Sequence, residues 1–386
     1  MARKGDPASL PGAATATAVR VSVIVPTYKE AENLPHLVRK VAGCLQEAKL
    51  AAEIIVVDDN SPDDTESVCA LLAKEFPLRL EVRRNERGLS SAVIHGLRLA
   101  TGQVFVVMDA DLSHPPEKLP ELVEALSDPA VDFVIGSRYV RGGTTDEGWG
   151  LFRWLNSKVA TLLARPFTSA KDPMSGFFAL RRETFERSAK LDPVGYKIGL
   201  ELLVKGGCRG LREIPIHFNN RLYGKSKLSL KEQLNYVRHL RRLFEFKMGA
   251  WAYPIQFAFV GATGMAVDLA AFALLLKAIP YQVARLLAIW LAMSSNFFLN
   301  RRLTFSYARK ESALRQYLFF CGACGVGAAV NWGTTVLLIA SMDFFRTRMI
   351  LAAAAGVVAG VGFNYLLSRK VVFRIRSRPP AGGSGN

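Results

Sequence analysis

The stretch VRVSVIVPTY, residues 19–28, decides the fold of the first half of this chain. It is a β-branched run that ends in a proline-containing turn, and an amphipathic helical segment follows it over residues 31–48. The same alternation repeats along the chain, which predicts an α/β fold built on a parallel sheet. Further strands are predicted at residues 53–59, 78–84, 104–111 and 132–138.

Polar segments follow three of these predicted strands: PTYKE at 26–30, DDNSPDD at 58–64 and DADLS at 109–113. In open α/β sheets ligands bind beyond the carboxyl ends of the strands, so we expect these segments to converge on one crevice. Asp109 and Asp111 stand one residue apart after the apolar run VFVVM. Two such carboxylates suit a hard divalent cation that also holds a diphosphate.

The second half of the 386-residue chain is markedly apolar after Ala250. Its hydrophobic segments predict four membrane spans at residues 252–276, 283–299, 317–340 and 350–367. The formal net charge is +17, and the basic residues cluster beside these segments without any nucleic-acid-binding motif, so we expect a membrane surface and no nucleic acid as partner. The clusters after the second and fourth spans predict that both termini lie in the cytoplasm.

Two amphipathic segments, residues 149–167 and 227–247, predict helices lying in the membrane interface. An ordinary surface helix of a soluble domain has the same spacing and stays an open alternative. The endings NFFLNRRLTF at 296–305 and NYLLSRKVVF at 364–373 indicate an internal duplication into two helix hairpins. Residues 1–18 are predicted to be disordered, and residues 374–386 form a basic, flexible tail.

Seven motifs through residues 20–230 together resemble the dolichyl-phosphate mannose synthases of glycosyltransferase family 2. They are VPTYKEAENL, VVDDNSPDDT, RGLSSAVIHGL, MDADLSHPPE, IGSRYVRGG, DPMSGFFALRR and RLYGKSKLSL. The remainder is similar to the GtrA-like membrane domain that some members carry. The resemblance implies a Rossmann-like GT-A catalytic domain over residues 19–226 and a four-helix transmembrane domain over residues 251–373.

The resemblance also implies roles for individual residues. Nucleotide binding is expected of Pro26, Tyr28, Glu30, Val57, Asp59, Gly88, Asp109 and Ala110. Asp109, Asp111 and Ser113 would hold Mg²⁺ or Mn²⁺, although Ser113 stands where the family usually has glutamine. Arg221 and Lys227 would contact the donor phosphates, and Asp172 a sugar hydroxyl. The acceptor phosphate would be bound by Arg138, Arg153, Asn156 and Ser157. Asp111, Arg138 and Arg221 are the expected catalytic residues.

The implied activity is an inverting transfer of mannose from GDP-mannose to a polyprenyl or dolichyl phosphate. Because a lipid monophosphate is largely ionised at cytoplasmic pH, its oxygen can attack the sugar without a general base and give a β-linked product. We therefore expect an integral protein of the plasma membrane with a cytoplasmic catalytic domain. A UDP-glucose-dependent glucosyltransferase and a flippase of lipid-linked sugar stay open as alternatives. A processive polysaccharide synthase is disfavoured, because we find no QxxRW-like motif and all spans follow the catalytic half.

Overall fold

The computed structural model describes residues 20–146, 151–192, 194–195, 197–219 and 230–374. Within these ranges it leaves undescribed the side chains of residues 151–154, 230, 231, 282, 285, 350 and 353. The chain divides into two compact units between Lys247 and Met248. The predicted disorder of residues 1–18 and nearly all of the predicted tail lie outside the described residues.

The first unit is an α/β domain. Its described strands are β1 Val21–Thr27, β2 Ala52–Asp58, β3 Leu78–Val82, β4 Val104–Val107, β5 Phe133–Ser137, β6 Thr144–Thr145, β7 Phe178–Arg181, β8 Leu211–Pro215 and β9 His217–Phe218. Its described helices are α1 Leu34–Glu47, α2 Thr65–Leu72, α3 Leu89–Leu99, α4 Leu119–Ala125, α5 Leu151–Ala164, α6 Arg182–Glu186, α7 Ile198–Lys205 and α8 Leu230–Met248.

Seven of these strands form one sheet in the order β3-β2-β1-β4-β7-β5-β8, and β6 pairs with β9 in a small second sheet. Buried side chains alternate between the two faces of the large sheet. Val23 and Val25 join the core cluster that includes α1, whereas Ile24 joins the cluster that includes α3. Helices therefore cover both faces, as in doubly wound α/β proteins.

The sheet is mixed, whereas the sequence predicts a parallel one. Strand β7 runs antiparallel to both of its neighbours, β4 and β5. The five predicted strands β1 to β5 run parallel to one another, and the difference arises because β7, with the short run FALR, was not predicted as a strand. Strand direction depends on where the chain re-enters the sheet, which hydrophobic patterning does not encode.

The two amphipathic segments form helices α5 and α8, which contact each other. The Tyr236 hydroxyl donates to the Ala160 carbonyl at 2.7 Å, and the Lys247 ammonium donates to the Pro166 carbonyl at 2.7 Å. Leu162 on α5 is 69% exposed, and Leu155 and Val237 are about half exposed. Both helices form where the sequence predicts them. Their exposed apolar side chains are the observation that supports a location in the membrane interface.

The second unit consists of helices, described as α9 Ala252–Leu275, α10 Tyr281–Arg302, α11 Ala313–Ser341, α12 Asp343–Thr347 and α13 Met349–Leu367. Its four long helices coincide with the four predicted spans. Among the described residues, two helical segments are long and apolar enough to cross a membrane, Glu232–Leu275 and Ala313–Ser341. The number of helices that cross therefore stays a prediction.

The two hairpins of this unit repeat the same contacts, which supports the predicted duplication. Gly264 lies against Asn296 where α9 meets α10, and Gly327 lies against Asn364 where α11 meets α13. The repeat-equivalent rings of Phe305 and Phe373 stack on each other with centroids 4.6 Å apart. The ring centroids of Phe257 and Phe305 are 6.3 Å apart in the first hairpin, and those of Phe320 and Phe373 are 6.4 Å apart in the second. Each hairpin therefore makes the same aromatic contact.

Candidate active site at the carboxyl ends of the strands

The three predicted polar segments meet in one cleft of about 200 Å³. It lies beyond the ends of β1, β2 and β4, which are adjacent in the sheet. Its lining comprises Pro26, Thr27, Tyr28, Glu30, Asp59, Leu89, Ala92, Asp109, Ala110 and Asp111. Most of the residues predicted to bind a nucleotide are therefore brought together. Val57 and Gly88 do not line the cleft: the Val57 side chain is fully buried in the core, and Gly88 lies in the turn before α3.

Asp59 ties the cleft to the turn before α3. Its carboxylate accepts hydrogen bonds from Arg83 Nε at 2.8 Å, from Arg83 Nη2, and from the Gly88 amide at 2.7 Å. Arg83 also donates to the Ser91 hydroxyl at 2.8 Å, and Gly88 has a φ of +136°, which favours glycine. The resemblance implies Gly and Thr at positions 90 and 91, and the turn forms with Ser90 and Ser91 in their place. Arg83 was not among the residues predicted for the site. Its position directly after β3, at the carboxyl end of a strand, was the signal that could have indicated it.

The Asp109–Asp111 turn folds back on itself. Leu112 adopts a φ of +60°, an uncommon conformation for a leucine that is often found at functional turns. This brings the Ser113 hydroxyl to 2.6 Å and the Ser113 amide to 3.1 Å from Asp111 Oδ1. Ser113 is fully buried and does not line the cleft, so the structure does not place it as the predicted metal ligand. It donates to Asp111 and holds that carboxylate in position.

His114 and Gly176 shape the space around Asp109, and neither was singled out from the sequence. His114 Nδ1 accepts the Asp109 amide at 3.0 Å, and burial lowers the pKa of His114, which keeps the imidazole neutral. A Cβ at Gly176 would lie 3.4 Å from both carboxylate oxygens of Asp109. The absence of a side chain at Gly176 therefore leaves room in front of this carboxylate, which is 30% exposed.

These residues fit a hard divalent cation. Asp109 and Asp111 both reach the cleft and offer oxygen atoms, which Mg²⁺ and Mn²⁺ prefer. In the described part of the chain, no group of three His, Cys, Asp or Glu side chains could hold a metal ion. A cation at this turn would therefore complete its coordination with water and with oxygens of a bound diphosphate, as magnesium does in phosphate-binding sites.

Arg138 is fixed at the end of β5 by Asp172. Arg138 Nε donates to Asp172 Oδ2 at 2.7 Å, Nη2 donates to Oδ1 at 2.8 Å, and the Arg138 amide donates to Oδ2 at 3.0 Å. Asp172 is 0% exposed and Arg138 is 10% exposed. Although burial opposes the charge, the hydrogen-bonded Asp172 raises the pKa of Arg138. The structure thus provides a permanently charged guanidinium.

This pairing argues against the expected role of Asp172. A sugar hydroxyl would need access to a carboxylate that is completely covered in the structure. The backbone amide of Asp172 in turn donates to Glu213 at 3.0 Å, which anchors the loop to β8. Asp172 therefore supports Arg138, and the sequence could not reveal this because the two residues lie 34 positions apart.

The remaining acceptor-site predictions fall on α5. The Ser157 hydroxyl lies 2.6 Å from the hydroxyl of Tyr139, the residue after Arg138, and the Asn156 side-chain Oδ1 accepts a hydrogen bond from Gln233 Nε2 on α8 at 3.3 Å. Arg153 belongs to α5, but its side chain is outside the described residues. Arg221 and Lys227, predicted to contact the donor phosphates, also lie outside them.

Lys197, which immediately precedes α7, is a further charged residue of the site. Its ammonium donates to the Met174 carbonyl at 3.1 Å, within the loop that carries Asp172. Burial, and then the positive charge of Arg138, lower the pKa of Lys197 to about 8, although Asp172, Asp109 and Glu232 act in the opposite direction. A lysine with a perturbed pKa beside the loop that carries Asp172 is a candidate functional residue.

Comparisons with known proteins agree with this fold. Residues 22–188 match the model of glycosyl transferase family 2, and residues 256–373 match that of the GtrA/DPMS transmembrane domain. The protein is therefore a GT-A glycosyltransferase that carries a GtrA-like membrane domain. It is 40% identical over 360 residues to the dolichol-phosphate mannosyltransferase of Pyrococcus furiosus, covering 92% of this chain and 99% of that relative. The chain belongs to the dolichol-phosphate mannosyltransferase family and is a hexosyltransferase.

Other relatives cover the catalytic part. The dolichol-phosphate mannosyltransferase of Saccharomyces cerevisiae is 44% identical over 241 residues, which are 60% of this chain and 90% of the yeast protein. Among solved structures, glucosyl-3-phosphoglycerate synthase from Mycobacterium tuberculosis in complex with Mn²⁺, uridine-diphosphate and phosphoglyceric acid matches at a TM-score of 0.45 and 21% identity. That match covers 61% of this chain and 80% of the solved one.

Proposed function

We propose that this protein transfers mannose from GDP-mannose to a polyprenyl phosphate, such as dolichyl phosphate, at the cytoplasmic face of the plasma membrane. The products are polyprenyl phosphate β-mannose and GDP. The observation that carries the proposal is the 40% identity to a dolichol-phosphate mannosyltransferase over nearly the full length of both chains. The site described above supplies the parts that such a reaction needs.

The donor end of the site is the cleft at the carboxyl ends of β1, β2 and β4. Tyr28, Glu30 and Asp59 line it and would surround the guanosine, while Asp109 and Asp111 would hold Mg²⁺ or Mn²⁺ against the diphosphate. When bound, the ion supplies positive charge to the departing nucleoside diphosphate. Ser113 and His114 act on this reaction through the carboxylates, because each is buried and hydrogen-bonded within the turn.

The acceptor end centres on Arg138, whose guanidinium is held in a fixed orientation. The Phe218 ring lies 5.2 Å from Arg138 Cζ and 5.6 Å from the ring of His114, whose Nδ1 accepts the Asp109 amide, so this ring is close to both the acceptor end and the Asp109 turn. A fixed guanidinium can orient a phosphate oxygen without reorganising during the reaction. This position suits alignment of a lipid phosphate with the sugar carbon.

A single displacement without a general base agrees with the state of the buried acid and base groups. His114 is a neutral imidazole whose Nδ1 already accepts the Asp109 amide, and the Asp172 carboxylate is bonded to Arg138. An ionised phosphate needs neither group as a base, because it already carries the attacking lone pair. One displacement inverts the anomeric centre, which converts an α-linked donor into a β-linked product.

The helices support the proposed membrane arrangement. The exposed apolar side chains of α5 and α8 suit an interfacial location, where a lipid phosphate would be presented at headgroup level. If α9, α10, α11 and α13 all cross, the chain returns to its starting side. The Arg301–Arg302 and Arg369–Lys370 pairs then share the cytoplasmic face with the catalytic unit.

Donor identity is tested by incubating the purified full-length chain with labelled GDP-mannose or UDP-glucose, polyprenyl phosphate and Mg²⁺ or Mn²⁺. We expect transfer from GDP-mannose alone, and no transfer by Asp111→Ala, which serves as the matched blank. Transfer from UDP-glucose with none from GDP-mannose would replace this proposal by the glucosyltransferase alternative.

Arg153 tests the acceptor end. Arg153→Ala should raise KM for polyprenyl phosphate and leave the affinity for nucleotide nearly unchanged, because one hydrogen bond to a charged group contributes about 1.5–3 kcal/mol. This corresponds to roughly tenfold to a hundredfold in the specificity constant for the acceptor. Arg153→Lys should recover part of the loss, since lysine keeps the charge but not the bidentate fork. Arg165→Ala, an exposed arginine just after α5, is the control. Equal kinetics for Arg153→Ala and Arg165→Ala would remove Arg153 from the site.

The duplicated hairpins favour a second candidate activity, movement of the lipid-linked sugar across the membrane. Structural repeats with equivalent contacts are a recurrent feature of transporters. The test reconstitutes Asp111→Ala in vesicles loaded with polyprenyl phosphate mannose, so that synthesis cannot contribute. Equal rates of lipid transfer in these vesicles and in protein-free vesicles would exclude this activity.

A further inference from the structure

Tyr139 connects the acceptor end of the site to the helix that carries the apolar surface. Its hydroxyl lies 2.6 Å from the Ser157 hydroxyl on α5. Its ring is 5.3 Å from Cζ of Arg138 and 4.4 Å from Nζ of Lys158, measured to the ring centroid. One side chain therefore touches the fixed guanidinium and two consecutive residues of α5.

The contacts of Tyr139 differ from those that hold Arg138 within the catalytic unit. Asp172 fixes the guanidinium fork from the loop before β7, and the Phe218 ring lies 5.2 Å from Arg138 Cζ. Both of these partners belong to the body of the α/β domain. Tyr139 instead relates Arg138 to α5, whose Leu155, Val159 and Leu162 are exposed.

We propose that Tyr139 is a positioning residue that holds the Arg138 guanidinium in register with α5, so that a phosphate anion on a lipid is aligned with the cleft. This inference rests on the proposed function, in which Arg138 and α5 bind a lipid phosphate. The hydroxyl contact fixes the distance between the end of β5 and α5. The Tyr139 ring lies next to the charged groups of Arg138 and Lys158, and cation–π contacts of this kind stabilise the positions of both side chains. Lys158 is thereby added to the positive charge that faces the acceptor.

The arrangement has a consequence for Ser157, which the resemblance assigns to the acceptor phosphate. A serine hydroxyl has a single proton to donate. If that proton is directed to Tyr139, or if Tyr139 donates to Ser157, the two hydroxyls act as one unit. Removing the hydroxyl of Tyr139 or that of Ser157 then breaks the same hydrogen bond. Removing both hydroxyls has no additional effect, because that bond is already lost.

The test is a double-mutant cycle on the full-length chain in vesicles, with GDP-mannose and polyprenyl phosphate as substrates. We expect Tyr139→Phe and Ser157→Ala each to raise KM for polyprenyl phosphate about threefold to tenfold, the range of a single neutral hydrogen bond. KM for the sugar nucleotide should stay unchanged. The double variant should resemble either single variant, because the effects of two residues in one contact do not add.

Tyr236→Phe is the matched control, since it removes another tyrosine hydroxyl that donates to α5, at the Ala160 carbonyl. Its acceptor KM should match the parent. Tyr139→Leu tests the ring and should raise acceptor KM beyond Tyr139→Phe, because Arg138 and Lys158 both lose their contact with the Tyr139 ring.

Several results would overturn the inference. Effects that multiply in the double variant would mean that Ser157 acts on the phosphate independently of Tyr139. Equal loss of nucleotide and acceptor affinity, or an equal effect in Tyr236→Phe, would indicate general loosening of α5. If the parent transfers mannose normally and Tyr139→Phe does too, this inference fails and the proposed function stands. A parent that cannot use polyprenyl phosphate overturns both.

Discussion

The Arg138–Asp172 pair gives the most decisive test of how this site is built. Asp172→Asn keeps the shape of the side chain and one oxygen for the Arg138 amide, but turns an NH₂ group towards the guanidinium donors. The pair is 10% and 0% exposed, so solvent does not screen it. Removing one partner of a buried ion pair costs about 3–5 kcal/mol, because the other charge stays buried. We expect a loss of this size in the free energy of unfolding of the catalytic unit.

The matched control is Asp128→Asn, which breaks the Asp128–Arg212 ion pair. These side chains are 41% and 48% exposed, and surface pairs contribute roughly 0–1 kcal/mol. Both variants are followed by chemical denaturation in detergent, together with KM for each substrate. Since Asp172 acts through Arg138, we expect Asp172→Asn to raise KM for polyprenyl phosphate and to leave selection of the donor sugar unchanged.

Two results would contradict this prediction for Asp172→Asn. Asp172→Asn with the stability and acceptor KM of Asp128→Asn would show that the buried pair does not support Arg138. Altered discrimination between GDP-mannose and other GDP-sugars, with normal acceptor KM, would restore the sugar-hydroxyl role that the sequence resemblance implies for Asp172.

Three further predictions address the metal turn, the charge of Lys197 and the membrane arrangement. Gly176→Ala should weaken Mn²⁺ binding, measured by titration calorimetry with GDP present, because its methyl group would occupy the space 3.4 Å from both Asp109 oxygens; unchanged binding would contradict this. The Lys197 ammonium keeps its charge below its pKa of about 8 and loses it as pH rises through that value. We therefore expect kcat/KM to fall above about pH 8 in the parent but not in Lys197→Arg, which stays charged; identical pH profiles would exclude Lys197. A cysteine introduced in place of Ser377 should react with an impermeant maleimide only after the membrane is opened, and labelling of intact cells would refute a cytoplasmic C-terminus.

The amino-acid sequence determined the parts of this protein that depend on local patterning. The strands β1 to β5 begin and end within a few residues of their predicted bounds, because buried strands are read from continuous β-branched runs. The meeting of PTYKE, DDNSPDD and DADLS in one cleft also followed from the sequence, since the carboxyl ends of neighbouring parallel strands share an edge of the sheet. The motifs indicated the family for the same reason: each is a short local segment.

Only the tertiary structure decided which side chains meet across long stretches of chain. The antiparallel direction of β7 and the burial of Asp172 under Arg138 depend on how distant segments pack, and no periodicity records this. Ser113 is buried after the left-handed turn at Leu112 and donates to Asp111, and Tyr139 reaches Ser157 across 18 positions. Each is a contact chosen by packing and by the need to pair buried polar groups, which are properties of the folded chain and not of any one segment.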